Sequence, residues 1–499
     1  MIEMTLREIA DVVGGELHDV PDPQALVTGS VEFDSRRIGS GDLFLALPGA
    51  NSDGHDYAAT AVAAGAVAVL AARPVGVPAI VVAPDLGSVP ASSVALSHDG
   101  DGSGAAVLAA LAALARASTE RLAECTGLTV VGVTGSSGKT STKDLLAAVL
   151  APLGPVVAPP GSFNNELGHP WTALRAGLDT KFLALELSAR GPGHIAALAR
   201  IAPPRIGVVL NVGTAHLGEF GSREAIAQTK GELVEALPAD GLAVLNADDP
   251  NVAAMASRTR ARVVRVGLAG DADIRATHVV TDEQARARFT LHAGGESVPV
   301  RLAVHGEHQV GNALAAAAVA LECGADLATV AQALSGATAA SARRMDVRTT
   351  AEGVTVINDS YNANPDSVKA ALKALVTLAK AGDEPRRSWA VLGEMGELGD
   401  TSVIEHDAIG RLAVRLDVDR LIVVGTGRPS RGMHQGAVME GSWGEESILV
   451  PDIDAAIALL DDEIAAGDVV LVKASKAVGL WAVAEHLTRA GEGSTEAAR

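Results

Sequence analysis

From about residue 128 to about 340, short apolar runs alternate with stretches of helical periodicity. The runs at 182–185, 206–210, 242–245 and 263–266 have the pattern of buried strands. Strand–helix alternation of this kind predicts a largely parallel sheet covered on both faces. The segments 286–291 and 297–304 instead alternate apolar and polar residues with period two, which predicts a small antiparallel addition. The strand–helix pattern restarts at about 345, with runs at 354–357, 389–392, 421–425 and 469–472. Ahead of both regions, residues 1 to about 85 carry an apolar run at 43–47, a helical stretch at 58–68 and a second run at 79–82. The segment 97–104 is rich in Gly, Asp and Ser and reads as a loop or linker, and a helix over about 105–121 leads out of it. The tail 491–499 is small and polar, which predicts fraying. The fold class is therefore α/β in three domains. A small N-terminal α/β domain spans 1–100, a central parallel-sheet domain 101–342, and a C-terminal doubly wound, Rossmann-like domain 343–499. No internal repeat is visible.

Length agrees with this division, since 499 residues exceed what one core organises. Hydrophobic residues make up 48 % of the chain but aromatics only 2 %, so the cores must be built mainly from Ala, Val and Leu. A formal net charge of −20 argues against coating a nucleic acid, whose phosphates would be repelled. It leaves room for a nucleotide site, where local lysines, Mg²⁺ and backbone dipoles dominate. Cys125 and Cys323 are the only cysteines and make no disulfide scaffold. Glu3, Glu8 and Asp11 interrupt any secretory signal, and no segment offers the ~20 uncharged apolar residues of a membrane span. The expectation is a cytoplasmic enzyme with no membrane insertion.

The chemistry concentrates at the first run of the central domain. Thr129-Val130-Val131-Gly132-Val133-Thr134-Gly135-Ser136-Ser137-Gly138-Lys139-Thr140-Ser141 passes from a β-branched run through a glycine-rich turn into a helical pattern over 142–150. Such a turn lets backbone N–H groups converge on anionic oxygens, and the helix N-terminus adds partial positive charge. Lys139 can reach terminal phosphates, and the Thr140 hydroxyl is placed to hold Mg²⁺. The glycine spacing is unusual, with Val at 133 and two residues between Gly135 and Gly138. A plain strand-to-helix turn is the alternative; a nucleoside triphosphate site is the expectation.

Ligands in open α/β sheets sit beyond the carboxyl ends of the strands. That singles out Glu186, Asn211 and His216, and Asp359, which follow three different strand runs. Each alone could be a helix cap or a loop polar group; beside a phosphate loop they suggest one cleft. Glu186 is the favoured Mg²⁺ ligand, because Mg²⁺ takes few carboxylates together with phosphate oxygens and water. Lys230 falls four residues after Ile226 and three before Leu233, on or beside the apolar face of a predicted helix. Either its ammonium reaches water along that face, or the amine becomes a carbamate that can bind metal. Arg343 and Arg344 stand at the junction of the second and third domains. One of them can reach a γ-phosphate when the domains close, or both form an exposed basic linker.

Assembled, these residues resemble the Mur ligase family of ATP-dependent amide ligases, nearly end to end. Thr134-Gly135-Ser136-Ser137-Gly138-Lys139-Thr140 matches the family's variant phosphate loop. Glu186, Asn211 and His216 match its metal and nucleotide motifs, Lys230-Gly231-Glu232 its modified-lysine helix, and Asn246-Ala247-Asp248-Asp249-Pro250 a further signature. The segment from His305 to Leu314 is similar to its His–Asn motif, which implies Asn312 near adenine. Within the family, Asn358-Asp359-Ser360-Tyr361-Asn362-Ala363-Asn364-Pro365-Asp366-Ser367 resembles the branch that adds D-alanyl-D-alanine to UDP-N-acetylmuramoyl-tripeptide. So do the segments at 34–47, 162–168 and 391–399. The Asp-Asn-Pro-Arg signature of the diaminopimelate-adding branch is absent. Val472-Lys473-Ala474-Ser475-Lys476 departs from the family's Lys-Gly-Ser-Arg, and Lys476 lacks an arginine's bidentate fork.

The resemblance implies an N-terminal substrate domain, a central P-loop ATPase domain and a C-terminal ligase domain. The substrate domain would hold the uridine diphosphate end through Ser35, Arg36, Phe44 and Ala46. ATP would meet Gly135, Ser136, Ser137, Gly138, Lys139, Thr140, Ser141, Asn312, Arg344 and Asp359. Thr140, Glu186, His216 and Lys230 would hold Mg²⁺, two ions in all. Lys139, His216, Lys230 and Arg344 would be catalytic. Asn164, Asn165, Ser188, Asn362 and Asn364 would bind the two substrates. The implied reaction phosphorylates a peptide carboxylate and passes the acyl group to the dipeptide amine, in a monomer that binds no nucleic acid. Two alternatives stand beside it: a ligase of the same chemistry adding a single amino acid, and a nucleotide-binding regulator that does not turn over.

Overall fold

A computed structural model of the chain describes residues 1–49, 52–84, 96, 99–214, 217–382, 384–441 and 445–493. Three main sheets carry the architecture, with a small two-stranded ribbon beside the first.

The first sheet orders its strands Glu16–His18, Ala79–Val81, Ala68–Ala71, Leu43–Leu45 and Val31–Glu32. Its only antiparallel pair among the described residues lies at the Glu16–His18 edge. The helix expected over 58–68 is shorter. It spans Ala58–Ala64 and ends at Gly65, whose φ of 122° no ordinary side chain adopts. Ala68–Ala71 is then a fully buried strand, which its alanines gave no β-branched pattern to announce.

The central sheet has nine strands, in the order Glu296–His305, Arg286–Ala293, Ile274–Thr281, Arg262–Gly267, Leu242–Asn246, Ile206–Val209, Thr129–Thr134, Phe182–Glu186 and Val156–Val157. Pairing is parallel from Val156–Val157 to Ile274–Thr281, and the last three strands are antiparallel. The antiparallel addition thus has one strand more than the two expected. Its outer hairpin turns at Gly294 and Gly295, with φ of 59° and 86°, the left-handed pair that a two-residue turn requires. Thr129–Thr134 lies between Ile206–Val209 and Phe182–Glu186, so connections leave it in opposite directions and open a crevice at its carboxyl end.

A 24-residue helix, Ser103–Thr126, joins the first two domains and exceeds the expected 105–121 at both ends. Asp99 accepts the Gly104 and Ala105 amides and Asp101 that of Ser103, so the acidic loop caps the helix. Val107, Leu111 and Leu114 pack in one apolar cluster with Leu43, Leu45 and Leu70 of the first sheet and Leu183 and Leu185 of the second. The two domains therefore share a continuous core.

The third sheet orders Asp346–Thr349, Thr355–Asn358, Val469–Lys473, Ser388–Leu392, Arg420–Val424 and Ser447–Val450, parallel except for its first pair. Its first and last strands add to the four expected. The helix Trp481–Gly493 runs into the tail expected to fray, and 494–499 lie outside the described residues.

Candidate active site

Gly138 takes a φ of 82° and starts the helix Lys139–Leu150, the left-handed step that aims the loop's amides outward. Among the described residues, the amides of Gly138, Lys139, Thr140 and Ser141 have no protein acceptor. Four orphan N–H groups at the start of a 12-residue helix form an anion site. The amides of Ser136 and Ser137 are not available. Ser136 donates to the Asn211 carbonyl at 3.1 Å and Ser137 to Asn211 Oδ1 at 2.9 Å. Asn211 lines the cavity, as expected of a residue at this strand end, and also braces the phosphate loop. The Ser136 hydroxyl accepts the Gly213 amide at 2.9 Å and keeps its own O–H to donate.

Lys139 donates to the Gly135 carbonyl at 2.6 Å. Burial pushes its ammonium down to about 8, with Glu186 opposing the shift and Arg344 adding to it. A relay runs behind it: Arg344 donates to the Thr140 hydroxyl at 3.1 Å, and that hydroxyl donates to Glu186 Oε2 at 3.2 Å. Ser162 and Asn164 also donate to Oε2, at 3.2 and 3.3 Å. Glu186 is fully buried, and its Oε1 has no partner among the described residues. An orphan carboxylate oxygen costs at least about 1–3 kcal/mol, which a bound cation would relieve. Thr140 and Glu186 therefore fit the Mg²⁺ expected of them. Among the described residues no three His, Cys, Asp or Glu side chains cluster to hold a metal. Mg²⁺ held by one or two protein oxygens plus phosphate and water needs no such cluster.

Lys230 lies in the helix Arg223–Glu235 and is only 6 % exposed, which counts against the alternative in which its ammonium extends into water along that face. Burial, then the charge of Lys139, hold its amine well below the ordinary lysine range. His216 lies outside the described residues.

Arg344 does not sit in an exposed linker. Its guanidinium stacks 4.1 Å from the Tyr361 ring centroid. The residues on either side, Arg343 and Met345, have φ of 61° and 49°. A left-handed non-glycine residue costs about 1–3 kcal/mol and persists only where its surroundings insist on it. Arg343 points elsewhere, bonded to Glu485 at 2.8 Å and stacked 4.3 Å from Trp481.

A cavity of about 1130 Å³ joins these groups. It brings together the loop residues Ser136 to Ser141 with Asn164, Asn165, Ser188, Asn312, Arg344, Asp359, Asn362 and Asn364. Asn312 lies against the loop itself, since a Cβ on Gly138 would meet its Oδ1 at 2.6 Å. Asn165 accepts the Gly168 amide at 2.9 Å, and Ser188 donates to Asn164 Oδ1 at 3.1 Å. Asn364 caps the helix Pro365–Ala379 and donates to the Ser136 carbonyl at 3.4 Å, linking the C-terminal domain to the phosphate loop. The Asp359 carboxylate is already occupied, by the Lys473 ammonium at 2.6 Å and the Met345 amide at 3.1 Å. Asp359 lines the cavity as expected, with its carboxylate also engaged in holding these two donors.

The N-terminal candidates are not part of this cavity. Phe44 and Ala46 are 1 % and 0 % exposed, both inside the apolar cluster under the first sheet. Their side chains belong to the core, so any contact this segment makes with a ligand falls to its backbone. Ser35 opens a short 3₁₀ turn, and Arg36 is exposed and paired bidentately with Asp34. Sequence reasoning passed over Lys473, Lys143 and Trp171. Lys473 was visible only as a member of a C-terminal family segment, and the other two gave no signal.

Three family models match the chain: "Mur ligase family, catalytic domain" over residues 29–115, "Mur ligase middle domain" over 133–320 and "Mur ligase, glutamate ligase domain" over 343–476. A Mycobacterium tuberculosis protein called UDP-N-acetylmuramoyl-tripeptide--D-alanyl-D-alanine ligase is 63 % identical, with 98 % of each chain covered. The Escherichia coli protein of the same name is 31 % identical over 98 % of this chain and 100 % of that one. Among solved structures, MurF from Acinetobacter baumannii superposes with a TM-score of 0.81 at 29 % identity, covering 98 % and 99 % of the two chains. MurF ligase from Thermotoga maritima in complex with ADP gives 0.74 at 30 % identity, covering 94 % and 99 %. With its loop, its three sheets and these matches in agreement from end to end, the chain belongs to the Mur ligase family.

Proposed function

We propose that this chain joins D-alanyl-D-alanine to the terminal carboxylate of UDP-N-acetylmuramoyl-tripeptide, consuming ATP and releasing ADP and phosphate, in peptidoglycan precursor synthesis. The observation that carries the reading is the Arg344–Thr140 hydrogen bond, which makes one cavity of the phosphate loop and the C-terminal domain. Near-full-length likeness to ligases of that name supports the choice of substrates.

A carboxylate is a poor acyl donor, so it must first gain a leaving group. Its oxygen attacks the γ-phosphorus of ATP, the bond to ADP breaks, and an acyl phosphate results. The dipeptide amine then attacks the acyl carbon, loses a proton, and phosphate departs with one former carboxylate oxygen. The orphan amides at 138–141 and the Lys139 ammonium hold the polyphosphate, while Arg344 meets charge developing at the γ-position. Mg²⁺ held by Thr140 and Glu186 Oε1 would neutralise phosphate charge, and His216 with a carbamate on Lys230 would hold a second ion. Asn312 serves the nucleotide. Asn164, Asn165 and Ser188 meet the muramoyl peptide, Asn362 and Asn364 the dipeptide, and Ser35 and Arg36 the uridine diphosphate. The domains divide at 1–100, 101–342 and 343–499. In this reading the enzyme works as a monomer. No helix among the described residues is long and apolar enough to cross a membrane. Use of ATP and of a nucleotide-linked acceptor supports a cytoplasmic location.

The test is ADP release with UDP-muramoyl-tripeptide and either D-alanyl-D-alanine or single amino acids, with the peptide carboxylate labelled with oxygen-18. Turnover should require the dipeptide, and label should appear in phosphate. Equal turnover with glutamate or diaminopimelate, or unlabelled phosphate, would overturn the reading.

A further inference from the structure

Lys473 ends the strand Val469–Lys473 and is 2 % exposed. Its ammonium donates to Asp359 Oδ2 at 2.6 Å, the Asn362 carbonyl at 2.8 Å and the Asp359 carbonyl at 3.3 Å. All three acceptors belong to the segment 359–362, and an ammonium has no further proton to give. That same segment touches every residue of the Arg343–Met345 turn. Asp359 Oδ1 accepts the Met345 amide at 3.1 Å, the Tyr361 amide donates to the Arg343 carbonyl at 3.2 Å, and the Tyr361 ring stacks on Arg344. The other end of the turn is held from the central domain. Asp144 accepts both the amide and the hydroxyl of Ser341 at 3.1 Å, and Lys143 donates to the Ser341 hydroxyl at 3.2 Å.

We propose that Lys473 is a positioning residue for Arg344: through Asp359 it fixes the left-handed turn that delivers Arg344 to Thr140. A buried ion pair is a poor source of stability, because desolvation offsets the attraction. What it does supply is a fixed direction for each acceptor. Without the ammonium, the Asp359 carboxylate and the Asp359 and Asn362 carbonyls lose their common donor. The backbone bonds that remain, from the Asp359 amide to the Val472 carbonyl at 3.1 Å and from the Tyr361 amide to the Arg343 carbonyl at 3.2 Å, leave the Asp359 side chain free to release the Met345 amide. Arg344 would then relax away from the phosphate loop while the loop itself stayed intact. The inference rests on the reading of Arg344 as a residue that acts on the nucleotide.

Removing Lys473 alone would strand a buried carboxylate and risk unfolding, so the test neutralises the pair together. Arg344→Ala, Asp359→Asn/Lys473→Met and the triple variant are compared by kcat, KM for ATP and affinity for ADP. Arg344→Ala should lower kcat on the order of 10³-fold. The neutral pair should lower kcat at least about 10-fold with ADP affinity changed less than about 2-fold, and should cost nothing more in the triple variant, because the residues act as a unit. Full kcat in the neutral pair, collapse of ADP affinity, or losses that multiply in the triple variant would each overturn the proposal. An Arg344→Ala enzyme with wild-type kcat would instead refute the role of Arg344, and this inference with it.

Discussion

The Gly218 amide donates to the Glu397 carbonyl at 3.2 Å, tying the central domain to the C-terminal one beside the cavity. Gly399 then passes so close that a Cβ on Gly218 would lie 2.4 Å from its nitrogen and 2.7 Å from its Cα. These are backbone atoms, which cannot swing aside as a side chain would. Gly218→Ala should therefore wedge the domains apart and leave the phosphate loop untouched. A displacement of about 1 Å at a reacting centre costs about 10²-fold, so kcat should fall by that order with ADP affinity nearly unchanged. Steady-state ligation together with small-angle scattering checks both halves. Undiminished kcat would show that this contact plays no part in turnover.

Lys139 makes a pH-dependent prediction. Its folded-state pKa of about 8 lies below the ordinary 10.5, so folding disfavours the ammonium. The penalty is fully present below pH 8 and is relieved as pH rises from 8 to 10.5. Lys139→Met should therefore raise Tm at pH 7, with the gain shrinking across that window. Nucleotide binding needs the cation, so the wild-type affinity for ADP in the absence of other substrates should weaken above pH 8, and the variant's should stay low and flat. Calorimetry and ADP titrations at a series of pH values test this; a variant no more stable than wild type at pH 7 would contradict it.

The strand runs built from Val, Ile and Leu were legible because a parallel strand buried on both faces must be apolar throughout. The same condition hid Ala68–Ala71, whose alanines fit a helix equally well, and it hid the fate of Phe44 and Ala46. On a doubly covered strand no periodicity separates a core side chain from one facing a ligand. The phosphate loop and Glu186 were legible because their chemistry is local in sequence or fixed by the strand end. The burial of Lys230 was half legible: spacing put it on the apolar face, but only packing from other elements closes off the water. The partner of Asp359 was not legible at all. Lys473 lies 114 residues away and meets it because the sheet places Thr355–Asn358 beside Val469–Lys473.

Trp171 is the other residue that no local pattern announced. Its indole N–H donates to the Val31 carbonyl at 2.8 Å, linking the central domain to the first sheet. Its ring meets Phe33 and Phe163 at centroid distances of 5.8 and 4.8 Å, and Arg175 lies 5.1 Å over it. In a chain whose cores are mostly Ala, Val and Leu, this aromatic contact pins the N-terminal domain. Trp171→Ala should destabilise by about 3–5 kcal/mol through cavity formation. Trp171→Phe keeps a ring but strands the Val31 carbonyl and should cost about 1–3 kcal/mol. Denaturant unfolding orders the two, and a loss under about 1 kcal/mol for the alanine variant would mean that the domains dock by other contacts.

Lys230 carries the last prediction. Burial, then the nearby Lys139 charge, hold its amine well below the ordinary lysine range, a shift toward the unprotonated form. An unprotonated amine attacks carbon dioxide: an N–C bond forms, one proton leaves, and a carbamate replaces what would have been a buried cation. Enzyme freed of carbon dioxide should lose most of its turnover and regain it with bicarbonate, and ¹³C-bicarbonate should give a carbamate resonance. Lys230→Ala should lose about 10²-fold or more in kcat, as removal of a charge-stabilising group does. Bicarbonate should not restore it, whereas short-chain carboxylates should do so in part by standing in for the missing group. Wild-type turnover in Lys230→Ala would end the idea. A wild-type enzyme indifferent to carbon dioxide would leave Lys230 acting as the free amine.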